Sequence, residues 1–277
     1  MELELTHRNK IGEVGYNLKG IATVTRQKYL TASEKGPWAN SYDRWRNDNL
    51  TNRYQGVQFG YTSAGRYTSW NDIWNYYGFK ERDVLPGDYK YEDWNGDGEI
   101  NGQDEHPFAF DQTPWLQFSL NAGLQWKNFD FNMLLQGSAL GSMEYKEPLH
   151  EIWGKNGGGA LTQFLDRWHP VDPKADPYDP STVWTSGHYA YTGRWAKNNS
   201  AFNRVSTAYL RLKSIELGYT FPKLKQIPNA SLRVYANAYN LLTFTGVKFV
   251  DPEHPDDDLG RMYPLNKTYT LGVSLSF

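Results

Sequence analysis

The sequence predicts an all-β chain: seven or so antiparallel strands forming the C-terminal part of a transmembrane β-barrel, with long extracellular loops. Three observations predict it. From Leu265 to Phe277 every second residue (Leu265, Tyr269, Leu271, Val273, Leu275, Phe277) is apolar, with Lys267 the exception. Asn266, Thr268, Thr270, Gly272, Ser274 and Ser276 lie between them, so a strand here has one apolar and one small, polar face. Such a run has the length a tilted strand needs to cross a bilayer. The connections between such runs alternate short and long along the chain, as in a hairpin barrel with short turns on one rim and long loops on the other. Finally, 16% of the residues are aromatic while the mean hydropathy is only -0.72, a combination suited to aromatic girdles and polar loops.

The first strand covers 2–9, with Leu3 and Leu5 on one face, and a turn at Lys10-Ile11-Gly12 leads into a second over 13–25. There Val14, Tyr16, Leu18, Gly20, Ala22 and Val24 share one side, and Ile21 breaks the pattern on the other. From 29 to 111 the alternation dissolves into a stretch rich in Trp, Tyr, Asn and Gly, expected as an extracellular loop with a small strand at 54–61. Leu116, Phe118, Leu120, Ala122, Leu124 and Trp126 restore clean alternation. After the turn Lys127-Asn128, Phe129, Phe131, Met133, Leu135, Gly137 and Ala139 mirror it. A second long loop, 142–202, carries Pro170, Pro173, Pro177 and Pro180 and Gly157-Gly158-Gly159. The strand over 205–221 slips its period, with Leu210 and Leu212 on one parity and Ile215, Leu217, Tyr219 and Phe221 on the other, which places a β-bulge near Lys213-Ser214. A turn at 222–228, a strand through Leu232, Val234, Ala236, Ala238 and Leu242, a third loop over 246–263 and the terminal run complete the chain.

A net charge of -2 supplies no basic field for nucleic acid, and there is no apolar run of about 18 residues for a membrane-spanning helix. The absence of cysteine excludes thiolate metal sites, disulfides and cysteine nucleophiles. No signal peptide opens the chain, and seven strands do not close around a wide lumen. Both features lead us to expect further strands in a longer protein.

One motif carries specific chemistry. From Asp93 to Asp104, twelve residues have the spacing of a calcium loop. Asp93, Asn95 and Asp97 offer side-chain oxygens and Glu99 its carbonyl. Gly98 allows the sharp turn and Asp104 closes the loop. Such an ion is expected as a structural clip, against the plainer reading of solvated Asn-Gly and Asp-Gly turns. Pro86-Gly87 argues against a preceding helix. Trp38, Trp45, Trp70 and Trp74 are candidates to face substrate by stacking on rings, or to stiffen the loops by packing on one another. The six histidines lack ligand spacing, Glu144, Glu147 and Glu151 form no evident acid pair, and Asp256, Asp257 and Asp258 read as a solvated loop. No catalytic residue is assigned and the chain is not expected to be an enzyme.

Several segments, in order, resemble one family. They are Pro86-Gly87-Asp88-Tyr89-Lys90-Tyr91-Glu92-Asp93 with Asn95-Gly96-Asp97-Gly98-Glu99-Ile100-Asn101, then Trp126-Lys127-Asn128-Phe129-Asp130 with Gln136-Gly137, and then Ala208-Tyr209-Leu210-Arg211-Leu212-Lys213-Ser214-Ile215-Glu216-Leu217-Gly218-Tyr219. Asn240-Leu241-Leu242-Thr243-Phe244, Asp251-Pro252-Glu253 and the run from Tyr263 to Phe277 follow. Together they resemble the C-terminal part of SusC/RagA-type TonB-dependent outer-membrane transporters of Bacteroidetes. The resemblance implies a 22-stranded barrel in the full protein. It also implies an N-terminal plug and a TonB-contacting segment outside this chain, and a SusD-like lipoprotein over the extracellular loops. The expected function is TonB-driven import of a glycan or peptide across the bacterial outer membrane. A secreted, calcium-stabilised all-β glycan-binding module is the alternative, and it would turn the apolar strand faces into a protein core.

Overall fold

In a computed structural model, the structure describes residues 1–32, 36–48, 51–76, 84–150, 152, 160–193, 196–197, 199–222, 230–254 and 260–277. Seven strands make one sheet: β1 (Glu2–Ile11), β2 (Val14–Val24), β3 (Leu116–Trp126), β4 (Phe129–Ala139), β5 (Tyr209–Phe221), β6 (Ser231–Thr245) and β7 (Thr268–Ser276). Their order in space is their order in the chain, and every neighbouring pair is antiparallel.

Two hairpins are tight. β1 runs on to Ile11, which pairs with Val14, so the turn is Gly12-Glu13, later than the polar run at Lys10 suggested. Gly12 decides it, because its φ of +60° is a left-handed conformation that glycine adopts without strain. Trp126 pairs with Phe129 around Lys127-Asn128, as the sequence indicates. The bulge also falls where the parity slips. Against β4, Lys213 is an extra residue between the pairs Leu212–Leu135 and Ser214–Leu134, and against β6 the register shifts at the same place. Without it, Ile215, Leu217 and Tyr219 would turn to the polar face.

The apolar face is bare. Leu120, Leu135, Leu212 and Leu242 lie in register across four neighbouring strands. Leu217, Leu271 and Val273 are exposed, Leu271 to 85%. Phe118 and Phe131 are half-buried. At the hairpin end Trp126, Phe129, Tyr219 and Phe221 form a chain of ring contacts with centroids 4.7–5.9 Å apart.

On the opposite face Arg233 of β6 reaches past β5 to Asp130 (2.5 Å) and also meets Glu216 (2.6 Å). Gly218 leaves the space for that reach, since a Cβ there would lie 2.5 Å from the guanidinium. Ile21, the exception in its strand, lines a concavity of about 660 Å³ on this face with Thr23, Gln136, Tyr209 and Glu253.

The apolar cores lie in the loops. Tyr67, Ile73 and Val84 form one buried cluster, flanked by Trp70 and Tyr76; Ile152, Phe164 and Tyr189 form another. The segment between β2 and β3 is thus more ordered than its lost alternation suggests. It holds a helix at Trp70–Asn75, capped by the Ser69 hydroxyl accepting from the Asp72 amide, and a strand at Gln58–Gly60 paired with His106–Ala109.

Candidate functional site: the interlocked loops

The two long loops form one body. Gly60 sits against the Asn199 carbonyl so closely that a Cβ would overlap its oxygen. Around it the Tyr61 amide donates to Asn199 O (3.0 Å) and the Ala201 amide to Tyr61 O (2.9 Å). Phe202 packs edge-on against Tyr89 and Tyr91. The Thr192 hydroxyl donates to buried Asp88, and the Lys197 amide to the Tyr91 hydroxyl. Arg204 sits 3.6 Å from Glu144, and the carboxylate accepts the Asn199 amide, so Glu144 is a structural ion-pair partner. Burial lowers the Arg204 pKa from its usual value, while Glu144 and Asp111 oppose the fall.

A buried ionic cluster fastens the third loop to the sheet. Arg211 of β5 bonds Asp251 and Glu253 (2.8 Å each), and Lys213, at the bulge, adds Glu253 (2.9 Å). The sequence held one signal for it, two cations spaced i, i+2 on the polar face of a strand, and separation along the chain hid the partners.

The twelve-residue loop leaves a short strand, Tyr89–Tyr91, and among the described residues 84–92 no helix leads into it. Asp93 accepts the amides of Gly96 (2.7 Å), Asp97 (3.2 Å) and Gly98 (2.7 Å). Asn95 Oδ1 accepts the Asp97 amide and Asp97 Oδ1 the Glu99 amide. Fully buried Asp104 closes the far side, accepting the amides of Trp94 and Asn101. Trp94 stacks on His106 at 3.9 Å above it. Among the described residues, no three Asp, Glu, His or Cys side chains gather as an ion would need. The donors are all oxygens, as a hard cation requires; Asp93 Oδ1 and Asp104 Oδ1 each accept two amides, while Asp93 Oδ2, Asp97 Oδ1 and Asp104 Oδ2 each accept one.

The four tryptophans divide. Trp38 is half-buried. Trp45 packs against Tyr42 and edge-on against Phe59. Trp70 flanks the first core cluster. Trp74 is 62% exposed and forms an open row with Trp70 and Tyr178. Packing and presentation thus both occur, on different residues. Glu151 and 256–258 lie outside the described residues.

Sequence reasoning missed a cavity of about 360 Å³ near the base of the first loop, between Tyr29, Arg53, Tyr54, Phe59 and Asn199. Burial lowers the Arg53 pKa from its usual value. Burial, with Glu105 adding to it, raises that of nearby Tyr61.

An antiparallel meander with a bare apolar face, an ion-paired polar face and a packed loop body on one rim defines a segment of a large outer-membrane-type barrel. Comparison with known proteins agrees. The chain is 28% identical over 211 residues to TonB-dependent receptor P3 of Formosa agariphila, covering 70% of this chain and 19% of that protein. It is 27% identical over 239 residues to receptor P26 of the same organism (81% and 22%), and 26% identical over 210 residues to TonB-dependent receptor SusC of Bacteroides thetaiotaomicron (75% and 19%). The chain thus spans about a fifth of the length of the curated relatives it matches. Its fold matches the RagAB peptide importer in the 'closed-closed' state, with a TM-score of 0.60 and 18% identity over all of this chain and 29% of that one. No protein-family model matches. The chain is a homologue of the TonB-dependent receptors, SusC among them, and has the barrel fold of RagAB.

Proposed function

We propose that this chain is part of an outer-membrane transporter that imports a nutrient, glycan or peptide, with energy delivered through TonB. The bare apolar face carries the reading. Exposed apolar side chains on every strand, aliphatic on six of them and Phe129 on β4, have no partner layer among the described residues, and lipid is the environment that covers such a face with no second sheet. β1 and β7 pair on one edge only among the described residues, and unpaired backbone in a bilayer costs several kcal/mol per group. The remaining barrel strands and the plug of the full protein complete the closure. The loop body lies on the extracellular side, where a SusD-like lipoprotein covers it, and Trp74 faces substrate.

The 93–104 loop binds calcium in this reading, through Asp93, Asn95, Asp97, the Glu99 carbonyl and Asp104. The ion stiffens a loop; no covalent chemistry is assigned to the chain.

The test uses the full-length protein in its native membrane. Uptake of polymer by cells should stop when the gene or TonB is deleted, and the purified protein should partition into detergent. A protein that is water-soluble and dispensable for uptake would overturn the proposal and favour the secreted binding module. For the ion, calcium should slow proteolysis of the loop, and Asp93→Ala with Asp97→Ala should abolish that protection; equal cleavage with and without calcium removes the clip.

A further inference from the structure

The cavity at the base of the first loop has an unusual charge arrangement. Its acid, Glu105, is already engaged: Arg46 pairs with the carboxylate and the Tyr61 hydroxyl bonds to it as well. Arg53 has no carboxylate partner among the described residues. Its guanidinium donates to the Arg46 carbonyl (2.8 Å) and the Trp45 carbonyl, which engages two of its five N–H groups. It also lies over the Phe59 ring at 5.0 Å. Two further cations border the site without a carboxylate partner among the described residues. Arg26 is clasped between Tyr54 (3.5 Å) and Trp115 (4.2 Å), and Lys28 lies 5.8 Å from the same tyrosine ring. Asp111 is the other nearby acid, and it packs against Gly56 and interacts with Arg204. The Tyr29 and Tyr54 hydroxyls and the side-chain carboxamide of Asn199 make no hydrogen bond among the described residues.

Positive charge in excess, a guanidinium with donors to spare, aromatic walls and free hydroxyls meet in a space of about 360 Å³. We propose that this pocket binds a carboxylate-bearing sugar residue, a hexuronate, of the imported polymer. Arg53 takes the carboxylate, in the fork geometry that guanidinium offers to planar anions. The aromatic walls pack against the ring, while the tyrosine hydroxyls and Asn199 meet its hydroxyl groups. This inference rests on the import reading and narrows its cargo to an acidic glycan.

The experiment measures binding of D-galacturonate and D-galactose to the full-length receptor in detergent by calorimetry. Galacturonate should bind and galactose should bind at least tenfold more weakly. Arg53→Gln should weaken galacturonate at least tenfold, and Arg53→Lys should recover part of the loss. Because Arg53 also ties down two backbone carbonyls, Val57→Trp provides an independent variant: it fills the cavity from another wall, leaves the guanidinium in place, and should abolish binding. Equal binding of the two sugars, or unchanged galacturonate affinity in both Arg53→Gln and Val57→Trp, would overturn the proposal. A tripeptide with a free C-terminal carboxylate that binds more tightly than galacturonate, and loses affinity with Arg53→Gln, would overturn the sugar assignment. Uptake of neutral polymer by cells, with no galacturonate binding, would sink the pocket and leave the import reading standing.

Discussion

Replacing Leu120 by Arg puts the lipid-facing claim at risk. Leu120 lies six residues along β3 from Trp126, at the aromatic end of the sheet. At about 3.4 Å per residue and a strand tilt of about 45°, it stands roughly 14 Å above that girdle, near the middle of an apolar band about 25 Å tall. Arg at the bilayer midplane of a barrel costs about 2–4 kcal/mol, which is roughly two orders of magnitude in the folding equilibrium. In water the expectation is different. Leu120 is 39% exposed, and an exposed Leu→Arg change usually stays within about 0.5 kcal/mol. Asn121→Arg, one residue on and pointing to the other face, is the matched control. Urea unfolding of the full-length protein in lipid vesicles should show Leu120→Arg destabilised by about 2–4 kcal/mol relative to Asn121→Arg. Equal stabilities for the two variants would refute the assignment of the faces, and with it the transporter.

Three further outcomes follow from the packing. Gly60→Ala drives a Cβ into a backbone carbonyl, so the two hydrogen bonds around Asn199 must go, at about 1 kcal/mol each plus the displacement. Limited proteolysis should then cut both long loops faster, and unchanged cleavage would mean they are not interlocked. Gly218→Ala meets the side-chain ends of both Arg233 and Asp130, no backbone, and should cost less than about 1 kcal/mol in unfolding experiments, as the loss of a partly exposed ion pair does. A Gly218 variant as damaging as the Gly60 variant would contradict the geometry. Arg211→Ala leaves Asp251 without its cation while Glu253 keeps Lys213, and should destabilise by about 3 kcal/mol, with the third loop becoming accessible to protease at lower urea than the sheet unfolds. Cleavage of that loop at wild-type rate would show that the latch is not what holds it.

The sheet was legible because strand side chains alternate with period two, and one apolar face opposite one polar face keeps that period clean. Leu116–Trp126 and Phe129–Ala139 show it almost without exception, and even the defect at Lys213 announces itself as a change of parity. The loops were not legible, for the complementary reason. Their order comes from short elements, a six-residue helix and three- or four-residue strands, too brief for any period to emerge. Their stability comes from pairings far apart in sequence. Gly60 beside Asn199 and Arg204 beside Glu144 give no local sign. The twelve-residue calcium-type motif stood out because its oxygens are all local, and the cavity beside Arg53 did not, because its significance lies in an acid that pairs elsewhere.

The placement of order bears on how such a segment works. A barrel wall needs no interior of its own, because the bilayer removes its apolar face from water. The buried clusters Tyr67–Ile73–Val84 and Ile152–Phe164–Tyr189 are instead all in the loops. Long loops are ordinarily the mobile part of a protein, and conformational entropy lost on binding weakens affinity. Here, among the described residues, the interlock at Gly60 and the latch at Arg211 tie the loops together on folding. Those ties hold the Arg53 cavity and the Trp74 row in place, so part of the ordering entropy is lost before a ligand arrives.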